Sequence, residues 1–284
     1  MPEIQVTQGT IEYREQGNGP AIVLIHGLLV NGSVWDRVVA ALGRDVRVIV
    51  PDLPLGSHRK PMEPGADLTP PGVARLIAEL LERLELDDVT LVGNDTGGAL
   101  CQLTVAEHPE RIGRLVLTNC DAFEHFPPPA FVPLVKGLAR IPGAVRGLGL
   151  MGRVRMMRAG SMKLAPLTVT PVPDPLLKAW VSPLHDRRIR RDLLAVLRGI
   201  SPKHTLAAAG RLREFDRPAL IAWGTRDRFF PFADAERLAA TLPHARIERI
   251  ENSRTFVQLD APQRLAELVA EIATAPAAAS VGRT

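Results

Sequence analysis

One stretch narrows the possible folds before anything else is read. Val89-Thr-Leu-Val-Gly93-Asn94-Asp95-Thr96-Gly97-Gly98-Ala99 is an apolar run, then glycines bracketing a carboxylate, then a helix-forming segment. A strand that enters a helix through so tight a turn needs glycine where the backbones approach, because a Cβ would clash. The turn lifts its central side chain above the sheet at the start of the following helix. This is the geometry of a nucleophile elbow with Asp in the place of Ser. The helix dipole favours an anion there, so the spacing predicts an ionised Asp95 open to substrate. The competing reading is a plain glycine turn or a phosphate loop, but no G-x-G-x-x-G or G-K-[ST] is present to support the latter.

The rest of the chain surrounds this turn with alternating strands and helices. Ile4–Val6 and Thr10–Arg14 read as a hairpin with Gly9 near its turn. Ala21–Ile25 is a continuous apolar run, as expected of a strand buried on both faces, Val46–Val50 reads as the next buried strand, and Val89–Val92, Arg114–Thr118, Ala219–Trp223 and Ala245–Ile250 read as further strands. Helices are expected from Ser33 as cap through Leu42, from Thr69 with Pro70 and Pro71 in its first turn, and over 98–107, 232–242 and 261–273. Between 122 and 215 the rhythm stops, and the sequence turns rich in Pro, Gly, Arg and Met, including Met151, Met156, Met157 and Met162. Strands resume afterwards, so this block reads as a helical insertion into a mostly parallel sheet.

Composition excludes several classes. With 46% hydrophobic and 23% charged residues, a disordered chain, a coiled coil and a disulfide scaffold are all ruled out. Cys101 and Cys120 have no metal-ligand spacing and read as buried reduced thiols. The N-terminal segment has no basic-then-apolar leader pattern, and no apolar run reaches the ~18 residues of a membrane span. The expectation is a cytoplasmic monomer or homodimer with no metal or cofactor, acting on a small molecule and not on nucleic acid or a membrane. The net charge of +4 is small but unevenly placed, with 13 Lys/Arg against 3 Asp/Glu in 131–200. A solvated basic face or an anionic substrate or partner would each account for it.

His26-Gly27-Leu28 after an early strand, Pro51-Asp52-Leu53, the elbow, the helical insertion and Gly224-Thr225-Arg226-Asp227 occur in one order along nearly the whole chain. In that order and spacing the chain resembles α/β-hydrolase fold proteins. The resemblance implies an eight-stranded, mostly parallel sheet flanked by helices, with a core of 1–121 and 216–275 and a helical cap of 122–215; the small, polar composition of 276–284 predicts a disordered tail. It also implies an oxyanion hole from the backbone N–H groups of Leu28 and Thr96. With Asp at the elbow, the chain is similar to the haloalkane dehalogenase and epoxide hydrolase branch. There the carboxylate attacks carbon to form an ester, and a His paired to an acid activates the water that cleaves it. Asp227 matches the usual position of that acid, and Asp121 matches the alternative position.

The base of that family has no His here. Thr255-Phe256-Val257-Gln258-Leu259-Asp260-Ala261-Pro262 matches the surrounding pattern with Thr255 at the His position. The Trp that dehalogenases place after the nucleophile is Thr96, and the only tyrosine is Tyr13, outside the insertion where epoxide hydrolases carry two. His58 and His125, on loops leaving the carboxyl edge of the sheet, are the candidate substitute bases, with surface loops as the alternative. Trp35 reads as packing for the first helix, or else as a pocket wall, and Phe229 as a pocket residue beside Asp227. Three functions follow: a hydrolase through Asp95; a lyase, isomerase or cyclase using crowded carboxylates as acid and base; or a binding protein that has kept the fold.

Overall fold

The structure is a computed structural model, and it describes residues 1–151 and 166–274. Met156, Met157, Met162 and the tail 276–284 lie outside the described residues.

Eight strands form one sheet: β1 (Glu3–Val6), β2 (Gly9–Gln16), β3 (Ala21–Ile25), β4 (Arg47–Pro51), β5 (Val89–Asp95), β6 (Ile112–Cys120), β7 (Ala219–Gly224) and β8 (Ala245–Ile250). Their spatial order is β1-β2-β4-β3-β5-β6-β7-β8. The β1–β2 and β2–β4 pairs are antiparallel, and every later pair is parallel. This is the α/β-hydrolase arrangement, with β5 and the elbow at the centre of the sheet.

Burial on both faces explains the continuous apolar runs. Val23, Ile25, Leu91, Leu115 and Leu117 enter one core, while Ile22, Leu24, Val92 and Val116 enter the other. Successive side chains of a strand point to opposite faces, so each strand feeds both layers. The first core is covered by α2 (Pro70–Arg83) and α3 (Thr96–Glu107), and the second by α1 (Asp36–Leu42) and the final helix, Pro262–Thr274. Thr69 caps α2 through its hydroxyl, as expected. Ser33 does not cap the first helical segment. Asn31 does, accepting from the Ser33 N–H at 3.2 Å, and a short 3-10 turn over Gly32–Trp35 precedes α1.

Between β6 and β7 the described residues contain helices and no strand: α4 (Val132–Arg140), α5 (Ala144–Met151), α6 (Asp174–Val181), α7 (Arg187–Gly199) and α8 (Pro202–Leu212). Val135, Leu138, Val145, Leu184, Ile189, Leu193 and Leu197 make a third apolar cluster, and Leu28 and Leu29 from the loop after β3 pack against it. The loop that carries Leu28 is therefore held between sheet and insertion. No described helix is long and apolar enough to cross a membrane.

Candidate active site

Asp95 ends β5 with φ 55° and ψ −134°, a backbone conformation that L residues rarely adopt. Close packing forces it. A Cβ on Gly97 would lie 2.5 Å from the carbonyl oxygens of both Ile25 and His26, and a Cβ on Gly27 would run into the Asp95 carboxylate. Residues 89–94 of β5 are all buried, and Asp95 alone reaches partial exposure. The Leu28 N–H donates to Asp95 Oδ2 at 3.2 Å, and the Thr96 N–H also bonds this carboxyl. The two donors expected of an oxyanion hole thus converge on the elbow carboxylate.

The ionisation of Asp95 departs from the expectation. Burial pushes its carboxyl up to about 7; the Thr96 and Leu28 N–H bonds pull it down, and the nearby charge of Asp227 adds to the rise. At neutral pH about half of it is protonated, because the cost of desolvation exceeds what two N–H groups and a helix terminus return. A helix terminus is legible in the local sequence, whereas the burial of Asp95 arises only when the whole core packs.

Asp227 is held from four directions. Its Oδ1 accepts from the N–H groups of Phe229 (2.8 Å) and Phe230 (3.2 Å), and its Oδ2 from Asn119 Nδ2 (2.8 Å) and the Thr255 hydroxyl (2.9 Å). Burial still raises its pKa above the ordinary carboxylate range. Thr255 is fully buried, and its carbonyl accepts from Asn94 Nδ2 at 2.7 Å. Asn94 also donates to Thr118 and Asn119 and accepts from Gln258 Nε2, tying three strand ends together behind the elbow. Asn119 clamps β7 by accepting from the Gly224 N–H at 2.6 Å. Sequence reasoning missed Asn94, Asn119 and Gln258. Their signal was position: two polar residues at the carboxyl ends of central apolar strands, and one directly after the Thr255 segment.

Asp121 is placed differently from Asp227. It is buried, accepts from the Thr96 hydroxyl at 3.1 Å, and leaves Oδ1 with no partner. Burial, with the charge of Asp95 behind it, drives its pKa well up. Of the two candidate acids, Asp227 is the one joined to Thr255.

Neither candidate histidine faces these carboxylates. His58 is buried; its Nδ1 accepts from the Gly56 N–H at 3.3 Å, so Nε2 carries the proton and donates to Asp192 Oδ2 of α7 at 3.3 Å. Asp192 also accepts from the Met62 N–H and from Arg191, so His58 fastens the loop after β4 to the insertion. His125 joins Asp234 Oδ2 at 2.7 Å, on α9 (Phe232–Thr241), and makes no hydrogen bond to Asp95, Asp121 or Asp227. His26 is structural as well. Its Nε2 accepts from the Leu53 N–H at 2.9 Å and its Nδ1–H donates to the Gly27 carbonyl, while burial keeps it neutral.

Trp35 is fully buried in the second core among Val34, Val38 and Trp180, where it packs the first helix. Phe229 is half-buried, with its ring 4.6 Å from that of Phe131 at the start of α4, an edge between sheet and insertion. Cys101 and Cys120 are free and buried. Among the described residues, no group of three or more His, Cys, Asp or Glu is arranged to hold a metal ion.

The chain belongs to the alpha/beta hydrolase family, whose model matches residues 22–268. Among curated relatives it is 27% identical to haloalkane dehalogenase 2 of Mycobacterium tuberculosis (strain ATCC 25618 / H37Rv), over 93% of this chain and 92% of that protein. It is 27% identical to a cis-3-alkyl-4-alkyloxetan-2-one decarboxylase of Shewanella oneidensis, over 88% of this chain and 81% of that one. Among solved structures, an alpha/beta hydrolase fold protein from Burkholderia ambifaria superposes with a TM-score of 0.80 at 24% identity, covering 94% of this chain and 96% of that one. A putative ancestral haloalkane dehalogenase superposes with a TM-score of 0.77 at 21% identity, covering 97% and 100%. At those identities the two structures share the fold.

Proposed function

We propose that this protein is a hydrolase-type enzyme that acts through the Asp95 carboxylate on a small to medium, largely apolar molecule with an electrophilic carbon. The helices of 122–215 act as a cap over the site, and Leu28 and Thr96 supply the oxyanion hole. The observation that carries this reading is the geometry of the elbow. One Asp95 oxygen is bonded by the Leu28 N–H, in a turn that presents the carboxylate at the only partly exposed point of β5.

The chemistry follows from that arrangement. The free oxygen of ionised Asp95 attacks the carbon, forming a C–O bond, and the leaving group departs with its electron pair. Hydrolysis of the resulting ester passes through a tetrahedral oxyanion on the Asp95 carboxyl carbon, which the Leu28 and Thr96 N–H groups are placed to stabilise. The water must lose a proton to a base, and Thr255 stands at the position from which a base would act. A hydroxyl that donates to Asp227 accepts no proton at neutral pH. General-base help is worth roughly 10²–10⁴-fold, so the first half of the reaction outruns the second and the ester accumulates.

A second reading is supported by the carboxyl trio. Asp95 with a pKa of about 7, beside Asp121, whose pKa burial drives well up, suits proton transfer without hydrolysis. The relatives include a protein named as a decarboxylase. Incubation with alkyl halides, epoxides and activated esters separates the two. The proposal expects a persistent mass adduct in wild type, none in Asp95→Asn, and turnover in a folded Thr255→His. Unmodified protein with every reagent, together with conversion of a substrate by proton transfer alone, favours the second reading.

A further inference from the structure

The insertion carries a second concavity, away from Asp95. It is a groove of about 380 Å³ between the α4–α5 hairpin and α7, with Arg140, Arg146, Arg190 and Arg198 on its rim and Val145 and Leu194 among its apolar walls. That volume falls at the lower end of small-molecule sites, roughly 300–1,000 Å³.

What sets these arginines apart is that four of them gather on one rim. Many arginines of the sheet-bearing part are paired with carboxylates, of which Arg14 with Asp36, Arg47 with Glu15, Arg75 with Asp67 and Arg237 with Glu124 are examples. On α7 itself, Arg188 and Arg191 are paired with Asp186 and Asp192. Around the groove, Arg140, Arg146 and Arg198 have no carboxylate within ion-pair distance among the described residues. Arg190 is held in place by donating to the carbonyls of Leu184 and His185, at 2.8 and 2.9 Å, with the Asp186 carboxylate near enough to feel its charge.

Like charges gathered around one concavity repel one another, and a folded chain tolerates that only at a cost. An anion in the groove removes the repulsion, and the guanidinium fork suits a carboxylate, sulfate or phosphate oxygen pair. The walls set a second requirement. Val145 and Leu194 line the groove, and Ile141 at its lip is 62% exposed, so a bare inorganic anion would leave the apolar surface wet. We infer that this groove is a binding site for an anionic amphiphile, its charged head on the arginine rim and its alkyl chain along Val145, Leu194 and Ile141. The site is separate from Asp95 and stands or falls independently of the proposed reaction.

The test is isothermal titration calorimetry with octyl phosphate below its micelle concentration. Octyl glucoside serves as the neutral counterpart and inorganic phosphate as the tail-less one. The expected result is saturable 1:1 binding of octyl phosphate that weakens with added salt, with at least roughly tenfold weaker binding of each counterpart. Arg140→Gln/Arg198→Gln should lose about tenfold or more in affinity. Arg75→Gln/Arg83→Gln, the same two-charge change at ion pairs on the other part of the molecule, should lose none. Both altered groove side chains are exposed, and unchanged circular dichroism and Tm confirm that the variant is folded. No saturable binding, equal binding of octyl glucoside, or equal losses in the Arg75/Arg83 and groove variants would each overturn the inference. Sedimentation with phosphatidylglycerol vesicles but no binding of monomeric octyl phosphate would overturn it too, by making this face a membrane contact and not a ligand site.

Discussion

Replacing Asp95 with Asn should make the protein more stable, and the gain should depend on pH. In the folded chain burial holds the Asp95 carboxyl near 7, against an ordinary value of 3.8. The native state therefore binds this proton more tightly than the unfolded chain does. Stability is lost as pH rises from about 3.8 to about 7 and is level above that. A shift of about three units at ~1.36 kcal/mol each places the full penalty near 4 kcal/mol, an upper value because the site relaxes around the charge. At pH 4.5 the same arithmetic leaves about 1 kcal/mol. Asn keeps the shape and an acceptor oxygen for the Leu28 N–H and carries no charge at either pH. The expected gain is about 2–4 kcal/mol at pH 8, or roughly 4–16 °C in Tm, shrinking to about a quarter at pH 4.5. Differential scanning calorimetry of both proteins at the two pH values measures it. An equal gap at both pH values, or a variant less stable than wild type at pH 8, would refute the claim that a desolvated charge sits at the elbow.

Other perturbations test the surroundings of that carboxylate. Asp227→Asn removes a nearby negative charge that raises Asp95, so the midpoint for alkylation of Asp95 should move below 7, whereas Asp121→Asn, at a carboxyl whose own pKa burial drives well up, should leave it in place; pH profiles of adduct formation by mass spectrometry decide this. Asn119→Ala removes the donor to Asp227 and both links to Gly224, and should cost about 2–4 kcal/mol in urea denaturation. His58→Gln should weaken the attachment of α7 by about 1–3 kcal/mol while leaving the rate of Asp95 modification unchanged. A fall of a hundredfold in that rate would instead make His58 a base.

Much of the fold was readable because its cause is local. Strands buried on both faces must be continuous apolar runs, and Ala21–Ile25 and the runs beginning at Val46 and Val89 have no other use in a chain of this composition. Strand ends were read short for the same reason: β5 continues through Asn94 and Asp95, and β6 through Asn119 and Cys120, where polar side chains close the network behind the elbow. The elbow was legible from its glycines, whose close approaches the structure places against Cys101, His26 and Cys120. The roles of the histidines were not. His58 meets Asp192 and His125 meets Asp234 across more than a hundred residues of chain, and no local pattern announces such partners. The ionisation of Asp95 was misjudged on similar grounds, since burial is a property of the whole packed core.

The most direct test of the central claim is the intact mass of the protein, followed by peptide mapping, after exposure to the reagent panel between pH 5 and 9. The account predicts an adduct on the peptide containing Asp95, forming faster as pH rises with a midpoint near 7, persisting after the reagent is removed, and missing from Asp95→Asn. An adduct that survives in Asp95→Asn, or one that forms at the same rate across the whole range, would contradict it.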